Sequence, residues 1–284
     1  MRCQLLALLI VALSGCTTVQ IKESQLIRPD PPGTAAPAPP EPSALLPGAR
    51  VRAAHIVTDD GAQLRGVIAE RPGARVTVLY FGGNAFHLDR DGAQLLPLLA
   101  ACGNNVAVFD YRGYGRSSGV PTVATMTADA VRIFDHVSAR APGPVIVHGL
   151  SLGSFMAAQV VRARPQTAGL VLEATSTNVV DWAHANVPWY ARPFVRLDIG
   201  ASLRAVDNLA AVSGYRGASL VLAGTRDGIT PPALGQRVYA ALPAGQKQWV
   251  VADGAGHNDI FGRPDVMAAY CALVKRISTL THTK

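Results

Sequence analysis

Three side chains far apart in the sequence have the types that a proton-relay nucleophile requires: Ser151, Asp227 and His257. A serine hydroxyl is a weak nucleophile near neutral pH. It needs a base to take its proton, and the base needs a partner that fixes its tautomer. Ser151 is the centre of Gly149-Leu-Ser-Leu-Gly153, a G-x-S-x-G sequence. An apolar run, Val145-Ile146-Val147, precedes it, and the small and apolar residues Ser154 to Ala158 follow. Strand, sharp turn and helix are the context in which this motif lifts a serine to the head of a sheet. The glycines let strand and helix approach without clashing Cβ atoms, while the tight turn strains the middle residue. A glycine-rich turn with a solvated serine would share the spelling; the flanking strand and helix distinguish the two.

After Ser151 the histidines are His184, His257 and His282. His282 falls in the C-terminal tail and His184 in an aromatic stretch. His257 lies in a glycine-rich run, 252–259, directly after the last expected strand, and is the expected general base. Asp227 follows the preceding strand, Leu220-Val-Leu-Ala-Gly224, and is the expected acid. Glu173, ending the strand after the serine turn, is its main rival; Asp253 and Asp259 flank the histidine and are weaker candidates. An oxyanion needs two donors. One is the N–H of Leu152, next to the nucleophile. The other is the N–H of Asn84, in the Gly82-Gly83-Asn84-Ala85 turn after an early strand.

The elements that must hold these groups alternate between strands and helices. Segments 50–57 and 63–69 read as a hairpin around Asp59-Asp60-Gly61. Strands follow at 75–81, 105–110, the apolar run 145–147, 168–174, 219–224 and 247–251. Helices are expected at 89–101, where Pro97 should kink or split the helix, at 122–140, after Ser151, at 203–212, at 232–241 and at 263–280. This alternation predicts a parallel sheet wound on both faces by helices, with the hairpin at its start. Residues 175–208, with Trp182, Trp189, Tyr190 and Phe194, are too long and aromatic for a plain connection. They read as a cap beside the site and suggest an apolar acyl or aryl substrate group.

The N-terminus reads as a targeting signal. Arg2 supplies positive charge, and the apolar run from Leu5 to Leu13 is too short to span a bilayer. Leu13-Ser-Gly-Cys16 resembles a bacterial lipobox, which implies cleavage before Cys16 and its acylation. Thr17 after the cysteine, by resemblance to Gram-negative sorting, implies the periplasmic face of the outer membrane. The expected organisation is a signal over 1–15, a proline-rich tether over 16–50 and a folded domain over 51–284. The formal net charge is +7, but the 26 lysines and arginines are scattered. Without a basic run or an aromatic-interleaved stripe, nucleic acid is not an expected partner. No spacing resembles a metal site.

Phe81-Gly-Gly-Asn-Ala85, Asp110-Tyr-Arg-Gly-Tyr-Gly-Arg-Ser117, Gly149-Leu-Ser-Leu-Gly153, Gly224-Thr-Arg-Asp227 and Gly256-His257 occur in order. Together they resemble the α/β-hydrolase superfamily, most nearly its serine-aminopeptidase-like and abhydrolase-domain esterase branches, over about 51–280. The resemblance implies an α/β-hydrolase fold, an eight-stranded and mostly parallel sheet with a small cap, and a Ser151–Asp227–His257 triad without metal or organic cofactor. Relatives usually carry histidine where this chain has Gly82, which leaves the shape of that loop open. Arg112 and its neighbouring tyrosines read as packing residues. In such a fold the first and last helices share a face, so Cys102 and Cys271 either form a disulfide or remain two buried thiols.

The leading expectation is a serine hydrolase acting on carboxylic esters or thioesters of small or lipid-like acyl groups, held to the membrane by its N-terminal lipid. A peptidase or acyltransferase would use the same triad. A non-catalytic envelope-binding protein on this scaffold is the alternative outside catalysis.

Overall fold

A computed structural model describes residues 17–31 and 45–280. Cys16, the signal and the proline-rich stretch 32–44 lie outside them. In chain order the elements are β1 (Thr17–Ile21), α1 (Glu23–Leu26), β2 (Arg50–Val57), β3 (Gln63–Glu70), β4 (Thr77–Phe81), α2 (Leu88–Leu99), β5 (Asn105–Phe109), α3 (Val123–Ser138), β6 (Val145–Leu150) and α4 (Leu152–Ala163). Then come β7 (Gly169–Glu173), α5 (Val179–Asn186), a short 3-10 turn at Arg192–Phe194, β8 (Val195–Ile199), α6 (Ala201–Arg204), α7 (Asn208–Val212), β9 (Ala218–Gly224), α8 (Pro232–Ala241), β10 (Lys247–Ala252) and α9 (Pro264–Leu280).

Eight strands form one sheet in the order β10-β9-β7-β6-β4-β5-β3-β2. β4 to β7, β9 and β10 are parallel, and only β3 runs against them, pairing antiparallel with both β5 and the edge strand β2. Strands β4, β5, β7 and β9 are buried along their whole length, as a sheet covered on both faces requires. The chain steps from β4 to β5 on one side and returns to β6 on the other. That reversal opens a crevice at the carboxyl ends of β4 and β6, where such folds bind ligands.

Several elements differ from expectation. Pro97 does not split α2; it sits in the last turn, and the helix runs on to Leu99, where Ala100 N–H bonds to Leu96 O. The helix expected at 203–212 is two short helices, α6 and α7, because Asp207 leaves helical geometry and caps α7 by accepting from Ala210 N–H.

The expected tether over 16–50 is also corrected. Residues 17–21 form β1, which pairs in parallel with β8 from Thr17↔Val195 to Ile21↔Ile199. Ile27, Leu45 and Leu46 are buried in the apolar core. The β-branched run Thr17-Thr-Val-Gln-Ile21 meets a strand of the cap, and burial of three large aliphatic side chains fixes the flanks. The described parts of 16–50 therefore belong to the folded domain.

Cys102, just beyond α2, and Cys271, in α9, are disulfide-bonded, with Cα atoms 5.1 Å apart and 169 residues of separation. This resolves the two states left open for these thiols. In the chain-entropy limit so long a loop stabilises by up to about 5 kcal/mol. Tyr270 Oη adds a hydrogen bond to Leu99 O across the same helix pair.

Candidate active site

Ser151 directly follows β6, at φ +52° and ψ −112°, a left-handed conformation that a residue other than glycine rarely holds. Its backbone is fixed from both sides. Ser151 N–H donates to Glu173 O at 2.9 Å, and Ser151 O accepts from the N–H and the hydroxyl of Ser154. The motif glycines act through close approach. A Cβ on Gly149 would collide with Gly153 O, and one on Gly153 with Phe81 O. α4 can thus begin directly beneath the serine, with Leu152 at its first position.

Asp227 and His257 meet in the loops after β9 and β10, at the same edge of the sheet. His257 Nδ1 lies 2.9 Å from Asp227 Oδ2. Asp227 also accepts from the N–H groups of Ile229 and Thr230 and from Thr230 Oγ1. Burial alone would raise the Asp227 carboxyl, but the hydrogen bonds from His257 and Thr230 outweigh it and hold the group below the ordinary aspartate range. A carboxylate there favours the proton on His257 Nδ1 and leaves Nε2 with a lone pair able to accept a proton. No hydrogen bond joins Nε2 to Ser151 Oγ among the described residues; such contacts often tighten only when substrate is bound.

The rival acids have other work. Glu173 is buried beneath the serine turn, bonded to His148 Nε2 at 3.1 Å and to Phe261 N–H at 3.1 Å. Asp253 accepts from Thr225 Oγ1, and Asp259 binds Gly256 N–H and Arg263. His184 is exposed near the end of α5.

The two expected oxyanion donors flank the β4–β6 crevice, whose strands are in register at Phe81↔Gly149. Leu152 N–H opens α4, where the helix dipole favours negative charge. The N–H groups of Asn84 and Leu152 have no hydrogen-bond partner among the described residues. The side chain of Asn84 is occupied: Oδ1 accepts from Tyr114 Oη at 2.9 Å and from Arg28 N–H at 3.3 Å, and Nδ2 donates to Leu26 O at 2.5 Å. Tyr111 Oη holds Gly82 O at 2.7 Å. Glycine at 82 follows from packing, since a Cβ there would enter the ring of Phe86. Arg112 is buried between Asp129 and Asp60, as a packing residue should be.

Sequence reasoning missed Thr230 and His148. Thr230 Oγ1 touches both Asp227 and His257 Nδ1. Its signal was local, a hydroxyl three residues past a loop aspartate, which is common turn chemistry. The cap aromatics depart from expectation as well. Trp182 Nε1 donates to Ile229 O, but Trp189, Tyr190 and Phe194 project into solvent and do not line an acyl pocket. Among the described residues no cluster of histidine, cysteine or acidic side chains could hold a metal.

The family model described as serine aminopeptidase, S33, matches residues 72–213, which carry Asn84, Ser151, Leu152 and the cap. The chain belongs to this α/β-hydrolase family. An uncharacterized Mycobacterium tuberculosis protein is 33% identical over 226 residues, spanning 78% of this sequence and 76% of its own. Lysophosphatidylserine lipase ABHD12 of Mus musculus is 38% identical over 116 residues, 38% of this chain and 29% of that protein. Among solved structures, a Pyrococcus furiosus esterase, Pf2001, aligns at TM-score 0.65 and 20% identity, over 84% of this chain and 98% of that one. Acetyl xylan esterase 1 from Thermoanaerobacterium aligns at 0.61 and 16%, over 81% and 84%. At these identities the solved structures share the S33 chain's fold.

Proposed function

We propose that this S33-family protein is a serine hydrolase that cleaves carboxylic esters, or thioesters, through an acyl-enzyme. Ser151 Oγ attacks the carbonyl carbon while His257 Nε2 takes its proton. The carbonyl oxygen becomes an oxyanion held by the N–H groups of Asn84 and Leu152. Collapse breaks the bond to the alcohol or thiol, which leaves with the proton from His257. Water, deprotonated by His257, then attacks the acyl-serine, releasing the acid and restoring Ser151. Asp227 keeps His257 in the competent tautomer throughout. The observation that carries this reading is the Asp227–His257 pair at 2.9 Å, on the sheet edge where Ser151 is held at φ +52°.

A lipid-like acyl substrate is favoured by the vertebrate relatives, whose name is lysophosphatidylserine lipase. An envelope location through acylated Cys16, on the periplasmic face of the outer membrane, is favoured by the disulfide, a bond that persists in oxidising compartments. A fluorophosphonate probe should label the wild-type protein on Ser151 and leave Ser151→Ala unlabelled. A folded wild type that resists the probe and turns over no p-nitrophenyl ester would remove the proposal. Because the family description names an aminopeptidase, aminoacyl-p-nitroanilides belong in the same assay. Their cleavage in preference to esters would favour the peptidase reading.

A further inference from the structure

The cap presents an aromatic surface to solvent. Trp189 is 79% exposed, Phe194 65% and Tyr190 58%, all within six residues of sequence. The run is compact, since Ala191 and Arg192 N–H bond back to Pro188 O and Phe194 N–H to Ala191 O. Side chains of this kind are costly in water, and a contiguous set of them marks an interaction site. The cap is also tied to the loop that carries Asp227. Trp182 Nε1 and Asn186 Nδ2 both donate to Ile229 O, and the Ile229 side chain is 46% exposed.

Two observations indicate what covers it. First, β1 pairs with β8 so that Thr17 lies opposite Val195, the residue directly after Phe194. Thr17, the residue that follows the acylation candidate Cys16 in sequence, therefore sits beside the end of the aromatic run. Second, tryptophan and tyrosine beside exposed cations is the composition that settles at a headgroup boundary. Arg192 and Arg196 are exposed in the same stretch, against one exposed acid, Asp198, in a chain of net charge +7.

We propose that Trp189, Tyr190 and Phe194, with Ile229, form the surface by which the protein rests on a lipid bilayer, so that the Asp227–His257 edge of the sheet faces the membrane. The proposal rests on the lipid-anchor and hydrolase readings for its biological sense: an ester embedded in the bilayer would then reach the site without crossing water. The choice of a bilayer as occupant leans on the anchor reading, whereas the exposed aromatic surface is read separately from the hydrolase one.

Full-length acylated protein is reconstituted into vesicles of equimolar phosphatidylcholine and phosphatidylglycerol carrying brominated acyl chains, which quench tryptophan on contact. Wild-type emission should be quenched, and Trp189→Phe should lose the larger part of the quenching, because Trp189 is 79% exposed whereas Trp182 and Trp249 are half-buried. Equal quenching in the two proteins overturns the proposal. A dimer in detergent that disappears in the Trp189→Ser/Tyr190→Ser/Phe194→Ser variant also overturns it, by assigning the patch to a second copy. With an ester embedded in the vesicles, that triple variant should turn over roughly tenfold more slowly while a short soluble ester is cleaved at the wild-type rate. Equal loss on both esters counts against the membrane role. If the wild type cleaves neither, the hydrolase reading has failed and the quenching result still decides the surface.

Discussion

Two histidine–carboxylate pairs sit in neighbouring parts of the sheet, at almost the same distance and with opposite character. His257 and Asp227 are 2.9 Å apart, His148 and Glu173 3.1 Å. His148 is wholly buried on β6, with the rings of Phe261, Tyr80 and Tyr270 at 4.9, 5.1 and 5.9 Å, and its Nδ1 has no partner. His257 sits on a loop with its ring partly open, and its Nε2 has no hydrogen-bond partner among the described residues. Residue type and pair distance are therefore common to a structural and a proposed catalytic pair. What separates them is whether one imidazole nitrogen can reach a reacting atom. Strand alternation turns His148 to the face covered by Phe261 and Tyr270, while loop placement keeps His257 at the head of the sheet.

The sharpest way to break this comparison is to remove the free imidazole edge. His257→Gln should lower ester turnover by about 10⁴-fold or more, and Asp227→Asn by roughly 10³–10⁴-fold through the wrong tautomer. Both should keep the wild-type circular dichroism spectrum. His148→Gln should do the reverse: a lower urea midpoint, with turnover per folded molecule within about tenfold of wild type. Turnover by His257→Gln at the wild-type rate would dissolve the distinction between the pairs.

Glu173 gives a second, smaller test, because it links the two regions. Its carbonyl accepts from Ser151 N–H, and its Oε1 accepts from Phe261 N–H, four residues past His257. Glu173→Ala leaves His148 and the Phe261 N–H without their partner in a dry site. We expect a loss of roughly 3–5 kcal/mol in stability by urea denaturation, the cost typical of breaking a buried pair. An unchanged midpoint would mean that water replaces the carboxylate there at little cost.

The same contrast explains what could be read from sequence. The serine turn was legible because its requirements are local: two glycines and a small residue at fixed spacing. Asp227 and His257 were legible because each directly follows a strand whose apolar run is plain, and parallel strands deliver their ends to one edge. The β1–β8 pairing was not, since nothing local to Thr17–Ile21 names a partner strand at 195–199. The outward direction of Trp189 and Phe194 was equally hidden: aromatic composition is the same for a lining and for a surface. Glu173 stood as a rival acid because burial beside His148 depends on Phe261 and Tyr270, which arrive from the far end of the chain. Pro97 lies two residues from the helix end, so little helix remains beyond it to be split off.

The smallest expected effect concerns the third group at the open pair. Thr230 Oγ1 lies 2.7 Å from Asp227 Oδ2 and 3.1 Å from His257 Nδ1, so it keeps the carboxylate charged and the ring aligned. Thr230→Val removes the hydroxyl but leaves the Ile229 and Thr230 N–H donors, and kcat/KM should fall by about tenfold, the loss typical of one hydrogen bond to a charged group. The pH effect has a definite sign. A depressed carboxyl stabilises the fold above its unfolded value of 3.8 and loses that contribution as pH falls through the lower folded value. With one donor gone the folded value rises toward 3.8, so acid unfolding of Thr230→Val should begin at higher pH than in wild type. A variant whose acid transition overlays the wild type would mean that the backbone donors and His257 alone set the charge on Asp227.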